Sequence, residues 1–380
     1  MWSSSDGIHY ALAYAYNEGR KEWSMGYFKK GAIALACAMS FFTSTVHAAK
    51  NEINVFYFTL NDLFLSQLSV ELQNTAISKR IRLRQHDANV DAKTQIEQVK
   101  KVLETQSNHH PILVNPVDTE TAHVLLELAK DHDTPIIFFN RNPDMTNFGS
   151  FDKAWFVSSN AQDAGKIQAQ IVISYLKTHP DADKNKDGKI NYLIFQGDPA
   201  HPDTATRTNA FINTMRDSQY KLKAIDSVYA HWDAAKAQSK MTYIMHNLSP
   251  ENIELIVSNN DAMALGVIHA LYKFGYNIPR GVNVPEADNR NPKAMRATMP
   301  KVPYIPVVGI DALPEAIDAV ERGTMLGSVY QDVNAVADVA MRIANLYLND
   351  IPITYERIGY PVDDRIIDIP YVRVCRCQWE

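Results

Sequence analysis

The sequence has few cysteines, no cluster of basic residues and no glycine-rich nucleotide-binding motif. Three cysteines in 380 residues exclude a disulfide framework. The 38 basic and 43 acidic residues give a net charge of −5 and form no Lys/Arg cluster, so nucleic acid is not an expected partner. Neither a Walker-A motif nor G-x-G-x-x-G occurs, which leaves nucleotide binding without support. Cys375 and Cys377 are expected to be unpaired tail thiols, because a one-residue spacing would strain a bridge; a bridge between them in an oxidising compartment is the alternative.

The first 48 residues are predicted to be a leader rather than part of the folded protein. Two lysines precede the apolar stretch 31–42, which is too short to anchor the chain across a bilayer. This pattern is typical of a cleaved secretory signal peptide over about residues 25–48, and it places the mature chain, from near Ala49, in the periplasm. Translation is then expected to start at Met25. A lipoprotein anchor at Cys37 and a short buried helix are the less favoured alternatives.

Beyond the leader, short apolar segments alternate with amphipathic helical segments. The predicted strands are residues 53–58, 81–84, 111–114, 136–139, 155–157, 192–195, 253–257, 305–308 and 326–329. Continuous apolar strands separated by helices predict parallel sheets that are covered on both faces. A chain of 380 residues favours two domains, so the predicted fold class is α/β with two doubly wound βα lobes. An eight-unit barrel is the competing architecture. The segment 279–303 contains five prolines and is predicted to be a long surface loop.

One oxygen-rich loop matches the first nine positions of an EF-hand calcium loop. The side-chain oxygens at positions 1, 3, 5 and 9 come from Asp183, Asn185, Asp187 and Asn191. Gly188 at position 6 permits the sharp turn, and Lys189 at position 7 offers its backbone carbonyl. Position 12 is Ile194 instead of Glu, so a complete site needs a carboxylate from elsewhere in the fold. An Asx-rich turn ahead of a strand is the alternative interpretation.

Polar side chains recur where the predicted strands end. Four of them follow an apolar strand directly or within a few residues: Asp62, Asn140, Asn260 and Asp311. His201 lies at the carboxyl edge of the predicted sheet, where ligands bind in open α/β folds. Asp203 and Arg207 are spaced i,i+4 and share one helix face, although a helix cap and its ion pair would also explain them.

This set of side chains suits the recognition of sugar hydroxyl groups. It offers planar donors and acceptors but no recognisable nucleophile, cofactor motif or acid–base pair. Phe64 and Trp232 are expected at strand–helix junctions and are available to stack on the C–H faces of a sugar ring.

Several long motifs, found in order over residues 50–375, make a family resemblance explicit. They include INVFYFTLNDLF, TPIIFFNRNP, DKNKDGKIN, FQGDPAHPDTATR, IELIVSNNDAMALG and PVVGIDALPEA. The chain resembles the type I, ribose-like family of periplasmic sugar-binding proteins, and in particular its galactose- and glucose-binding members. The resemblance implies two lobes joined by a three-segment hinge. The N-terminal lobe would be residues 50–159 with 333–367, and the C-terminal lobe residues 160–330 with 369–380. It further implies a monomeric, non-enzymatic protein that delivers D-galactose, D-glucose or a methyl-galactoside to a membrane ABC permease, and in some members to a chemoreceptor.

The resemblance also implies which residues form the two sites. The sugar contacts would be Asp62, Phe64, Asn140, His201, Asp203, Arg207, Trp232, Asn260 and Asp311, with Gln331 where the family usually has Asn. The ligands of a structural calcium ion would be Asp183, Asn185, Asp187, the Lys189 carbonyl, Asn191 and Glu254. Glu254 would supply the distant carboxylate, and Asn191 replaces a usual Gln.

Three other functions stay open at this point. The same pocket could hold another sugar, such as ribose or xylose. A transcription regulator with a DNA-binding head is disfavoured by the leader and by the lack of a basic helix-turn-helix. A glycosidase that uses Asp203 and a second carboxylate would need sustained turnover of aryl glycosides.

Overall fold

The computed structural model describes residues 51–106, 109–144, 149, 151–279 and 303–375. The predicted leader, with Cys37, lies outside the described residues, and so does the segment 279–303 except for its two ends. None of the helices in the described ranges is long and apolar enough to span a membrane.

The described chain alternates strands and helices, as the sequence predicts. The strands are β1 Glu52–Tyr57, β2 Arg82–Asp87, β3 Ile112–Val114, β4 Ile136–Phe139, β5 Ala154–Ser158, β6 Ile190–Gln196, β7 Leu222–Tyr229, β8 Leu255–Ser258, β9 Val307–Val308, β10 Gly327–Tyr330, β11 Ile366–Asp368 and β12 Val372–Cys375. The helices are α1 Leu63–Ser78, α2 Ala92–Thr105, α3 Thr119–Asp131, α4 Ala161–Thr178, α5 Pro202–Arg216, α6 Ala234–Asn247, α7 Asp261–Lys273, α8 Pro314–Glu321, α9 Val333–Leu348 and α10 Tyr355–Ile358.

The strands form two open six-stranded sheets, which excludes the barrel. Lobe 1 is built on the sheet with strand order β11-β5-β4-β3-β1-β2, in which all pairs are parallel. Lobe 2 is built on the order β12-β10-β9-β8-β6-β7, in which only the β10–β12 pair is antiparallel. Each order reverses direction next to the first strand of the lobe, which is the doubly wound arrangement.

Each sheet is buried between two layers of helices. In lobe 1, Val55 faces the core shared with α1 and α9, whereas its neighbour Phe56 faces the core shared with α2 and α3. In lobe 2, Phe195 faces α6 and α7, and Ile194 faces α4 and α5. Since successive strand residues point to opposite faces, a strand covered on both sides must be apolar throughout.

Within the described residues, the chain crosses between the two sheets three times. β5 in lobe 1 leads through residues 159–160 to α4, which packs on lobe 2. β10 in lobe 2 leads through residues 331–332 to α9, which packs on lobe 1. β11 of lobe 1 continues through residues 369–371 into β12 of lobe 2. The predicted boundaries 159/160 and 330/333 lie at the first two crossings, whereas the third, 367/369, lies at the end of β11, and Ile369 still packs on lobe 1.

Each of the nine predicted strands overlaps an observed strand, but three strands were not predicted. β7 is mostly exposed and lies at the edge of its sheet, β11 has three residues, and β12 is fully buried only at Cys375. These three strands are incompletely covered by the helix layers and therefore lack the continuous apolar run that marks the central strands. The expectation of free thiols is wrong for Cys375, which is disulfide-bonded.

Candidate functional site

One pocket gathers side chains from both lobes and from the second crossing. The space between its lining side chains is about 380 Å³, which includes the solvent at its open mouth. It is lined by Phe58, Asp62, Phe64, Leu65 and Asn140 of lobe 1, by His201, Asp203, Arg207, Trp232, Asn260 and Asp311 of lobe 2, and by Gln331. All ten predicted sugar-contact residues are therefore brought to the same pocket.

The parallel topology explains why residues distant in sequence meet here. Asp62 and Asn260 both lie beyond the carboxyl ends of strands and just before helices, at the sheet edge where open α/β folds bind ligands. Asp62 Oδ1 accepts a hydrogen bond from the Leu65 backbone N–H at 2.9 Å, and Asn260 Oδ1 accepts one from the Met263 N–H at 3.0 Å. Both residues are thus helix caps and pocket residues at once.

The segment before α5 differs from the expected capping arrangement. His201, not Asp203, is the N-cap, because its Nδ1 accepts a hydrogen bond from the Asp203 backbone N–H at 3.2 Å. Burial lowers the pKa of His201 well below its usual value, and the charges of Arg141 and Arg207 lower it further. The imidazole is therefore neutral, with its proton on Nε2 as a hydrogen-bond donor.

Arg207 is the central cation of the pocket and is held from several sides. Its Nη1 donates to the Asn259 carbonyl at 2.8 Å and lies 3.8 Å from Asp311 Oδ1. Its Nη2 donates to Asp203 Oδ2 at 3.4 Å and to the Tyr371 hydroxyl at 3.2 Å. The predicted i,i+4 pair with Asp203 is present, but it is only one of several contacts that fix the guanidinium.

The pocket carboxyl groups are buried, and nearby arginines oppose the rise in pKa that burial causes. Burial raises the pKa of Asp62 and of Asp203, while Arg207 and Arg141 oppose the rise. Burial raises the pKa of Asp311 well above its usual value, against the opposing charge of Arg207. Burial alone would lower the pKa of Arg207, yet the neighbouring Tyr371, Asp203 and Asp311 raise it overall, so Arg207 stays charged.

Three pocket residues have a left-handed backbone. The φ angles of Asn140, Trp232 and Asp311 are 62°, 63° and 117°. Such conformations cost about 1–3 kcal/mol each and concentrate at ligand sites, where the surrounding structure enforces them. Gly197 makes room for one of them, since a Cβ at this position would lie 2.0 Å from the Trp232 ring.

Several buried polar atoms of the pocket have no partner within the described protein. They are Arg207 Nε, Trp232 Nε1 and Gln331 Oε1. A buried donor or acceptor without a hydrogen bond costs about 1–3 kcal/mol. These atoms therefore suit a ligand that both donates and accepts hydrogen bonds, as a hydroxyl group does.

Sequence reasoning missed several residues that shape the pocket. Phe58 and Leu65 line it, and the Arg141 guanidinium lies 5.0 Å from the centroid of the Phe58 ring. Asn259 and Tyr371 hold Arg207 from behind. Phe58 follows β1 directly, so its position at a strand end was an available signal, whereas nothing local marks Tyr371.

The predicted calcium loop lies at the opposite end of β6 from the pocket. Gly188 has φ +77°, as position 6 of the loop requires. Glu254 is brought to the loop, where its Oε1 accepts from the Lys184 N–H at 2.6 Å and its Oε2 from the Asn191 N–H at 2.7 Å. Asp183 accepts from the Gly188 N–H at 2.8 Å.

The loop oxygens of Asp183, Asn185, Asp187 and Glu254 accept hydrogen bonds from backbone N–H groups. Within the described ranges, no group of three or more His, Cys, Asp or Glu side chains is gathered closely enough to hold a metal ion. However, Asn191 Oδ1 is buried without a hydrogen-bond donor. A buried oxygen without a hydrogen bond, on a residue whose N–H is bound by Glu254, fits the all-oxygen ligand set that calcium requires.

Comparison with known proteins agrees with this architecture. A family model described as "Periplasmic binding protein domain" matches residues 54–351. The chain is 29% identical over 344 residues to the D-galactose/methyl-galactoside binding periplasmic protein MglB of Haemophilus influenzae, over 90% of this chain and 93% of that protein.

Two solved structures share the fold at low identity. One is an ABC transporter solute binding protein from Bacillus halodurans with bound myo-inositol (TM-score 0.66, 22% identity, 88% of this chain and 98% of that one). The other is an ABC transporter periplasmic solute binding protein from Actinobacillus succinogenes with bound D-allose (TM-score 0.66, 19% identity, 86% and 98%). They confirm the two-lobed α/β fold.

Proposed function

We propose that this chain, which belongs to the family of periplasmic binding proteins, captures a hexose between its two lobes and delivers it to a membrane ABC importer. One observation carries the proposal: polar and aromatic side chains from both lobes and from a crossing segment line a single pocket of about 380 Å³. A ligand that contacts both lobes stabilises the closed arrangement relative to any open one, which couples binding to hinge closure.

D-Galactose, D-glucose and methyl-galactosides are the proposed ligands. The support is the set of contact residues, which matches the galactose- and glucose-binding pattern at nine positions, and the similarity to a galactoside-binding relative. Gln331 departs from that pattern and reaches further than Asn, which favours a second candidate, a different monosaccharide in the same pocket.

The test is a calorimetric titration of residues 49–380 with D-galactose, D-glucose and methyl-β-D-galactoside, and with D-ribose, D-xylose, D-allose and myo-inositol. Micromolar or tighter binding of one of the first three, lost in Asp311→Asn, would support the hexose proposal. Binding of only the latter group would replace it with the second candidate. No binding at millimolar concentrations of any of the seven would refute sugar capture.

The protein is proposed to bind rather than to transform its ligand. Asp203 and Asp311 both face the same cation, Arg207, and burial raises the pKa of both, so the two carboxyl groups share one kind of environment. A glycosidase needs one carboxyl group protonated and the other ionised. Sustained hydrolysis of aryl galactosides, abolished by Asp203→Ala, would contradict this part of the proposal.

A structural calcium ion is proposed for the loop of Asp183. Asn191 Oδ1, the buried oxygen without a donor, and Glu254, which is held against the loop, support it. The ion would contribute charge neutralisation and rigidity, with no part in sugar chemistry. The test is the luminescence of Tb³⁺ bound to the loop, which excess Ca²⁺ should displace and Asp183→Ala should abolish. Absence of any metal binding would refute the proposal.

A further inference from the structure

Tyr371 connects the third crossing to the pocket arginine. Its hydroxyl accepts a hydrogen bond from Arg207 Nη2 at 3.2 Å, and both side chains are buried. Arg207 Nη2 has one other acceptor, Asp203 Oδ2, at the longer distance of 3.4 Å. The hydroxyl therefore limits the rotation of the guanidinium on the side that faces the crossing.

The crossing itself is anchored in both lobes within three residues. Ile369 belongs to the core of lobe 1, and its N–H donates to the Ser158 carbonyl at 2.7 Å. Tyr371 belongs to the core of lobe 2, beside Val329. Pro370 lies between them and fixes its own φ while restricting the residue before it, so this crossing is short and stiff.

We propose that Tyr371 is a positioning residue that orients Arg207 for the ligand and links that orientation to the third crossing between the lobes. The inference rests on the proposed function, because Arg207 is a proposed sugar contact. A hinge movement that displaces residues 369–371 would also displace the acceptor of Arg207, so ligand contact and lobe closure would depend on one another.

The chemistry of the phenol suits this role. Burial raises the pKa of Tyr371, so the hydroxyl stays neutral at physiological pH. A neutral acceptor orients the guanidinium without adding a further carboxyl group to those of Asp203 and Asp311. A third carboxylate at this place would compete with the ligand for the charge of Arg207.

The experiment is a double-mutant cycle of Tyr371→Phe and Arg207→Lys in residues 49–380. Tyr192→Phe is the matched control, because Tyr192 lies on β6 in the same buried core as Tyr371. Two quantities are measured for each variant: the affinity and release rate for the tightest-binding sugar of the panel, and the urea midpoint without sugar.

Tyr371→Phe is expected to weaken sugar binding about tenfold, mostly through faster release, as the loss of one hydrogen bond to a charged group predicts. Tyr192→Phe is expected to change the affinity less than twofold, roughly the spread seen for changes that touch no ligand contact. In the Arg207→Lys background, Tyr371→Phe should cause no further loss, because its effect passes through the guanidinium. Unchanged affinity in Tyr371→Phe, or an equal loss in both backgrounds, would overturn the inference.

The sugar-free arm separates this inference from the proposed function. If the wild type binds none of the sugars, the proposed function fails. The urea midpoints then test the inference: strictly additive effects of Tyr371→Phe and Arg207→Lys would mean that the two side chains do not interact, and would overturn it.

Discussion

Replacing Glu254 by glutamine is expected to destabilise lobe 2, although the two side chains have almost the same shape. Glu254 is buried, with 2% of its surface exposed. Its Oε1 accepts from the N–H groups of Lys184 at 2.6 Å and Asn185 at 3.3 Å, and its Oε2 accepts from Asn191 at 2.7 Å. One carboxylate thus fixes both ends of the loop to β8.

The magnitude follows from the hydrogen bonds that glutamine cannot make. Glutamine retains one acceptor oxygen, so its NH₂ group must face either the Asn191 N–H or the two N–H groups at the start of the loop. Each hydrogen bond to a charged group contributes about 1.5–3 kcal/mol. The variant loses at least one of these hydrogen bonds, and those that remain go to a neutral acceptor. The free energy of unfolding is therefore expected to fall by about 2–4 kcal/mol.

The assay is urea unfolding followed by circular dichroism, in excess chelator and in excess calcium. Glu251→Gln is the matched control, because Glu251 is exposed in the short 3₁₀ helix Pro250–Asn252. The midpoint in chelator should fall for Glu254→Gln and stay unchanged for Glu251→Gln. Calcium should stabilise the wild type by mass action and the Glu254→Gln variant much less.

Two results would refute this reasoning separately. Equal midpoints of Glu254→Gln and wild type in chelator would mean that the three backbone hydrogen bonds do not hold the loop. Equal stabilisation of both proteins by calcium would mean that Glu254 is not a ligand of the ion.

Further predictions concern the pocket and the buried acid behind it. Gly197→Ala should displace the Trp232 ring, because its Cβ would lie 2.0 Å from that ring; calorimetry should show at least about tenfold weaker sugar binding, and unchanged affinity would contradict the close contact. Gln331→Asn should withdraw the amide from the ligand and weaken binding of the preferred sugar about tenfold, as the loss of one buried hydrogen bond implies, whereas tighter binding would contradict this orientation. Burial raises the pKa of Asp261 to about 7, so the folded state holds a proton between about pH 4 and 7 that the unfolded chain has released. Asp261 should therefore stabilise the fold increasingly as the pH falls through that window, and Asp261→Asn should remove this part of the pH dependence of the urea midpoint; an identical pH profile in both proteins would refute it.

The central strands and the pocket could be predicted from sequence for the same physical reason. β6 and β8 are covered on both faces, so each reads as an unbroken apolar run with a visible end. Because parallel strands end at a common edge, polar residues such as Asp62 and Asn260 meet there without any need for side-chain detail. Prediction of the strand ends was therefore nearly sufficient for prediction of the pocket residues.

Contacts that depend on three-dimensional packing could not be predicted in this way. Tyr371 lies between two short strands near the end of the described chain, and only the folded structure brings it to Arg207, 164 positions earlier. Glu254 has no local feature that separates it from Glu251, and only the family resemblance selected it. β7 pairs with β6 but is exposed along most of its length. Its sequence therefore lacks the apolar run that marks a buried strand.

β6 explains why stability and ligand affinity are expected to respond to different substitutions. Its seven buried residues separate the loop of Asp183 from the pocket turn that begins at Gly197, a span of about 20 Å. At one end, Asn191 is fixed through its backbone by Glu254; at the other end, the Gly197 N–H donates to Asn259 Oδ1, and Asn259 in turn accepts from Arg207. A disturbance of the loop changes the anchoring of lobe 2 but reaches Arg207 only through a fully paired strand in a close-packed core. Affinity should therefore change little until lobe 2 itself unfolds.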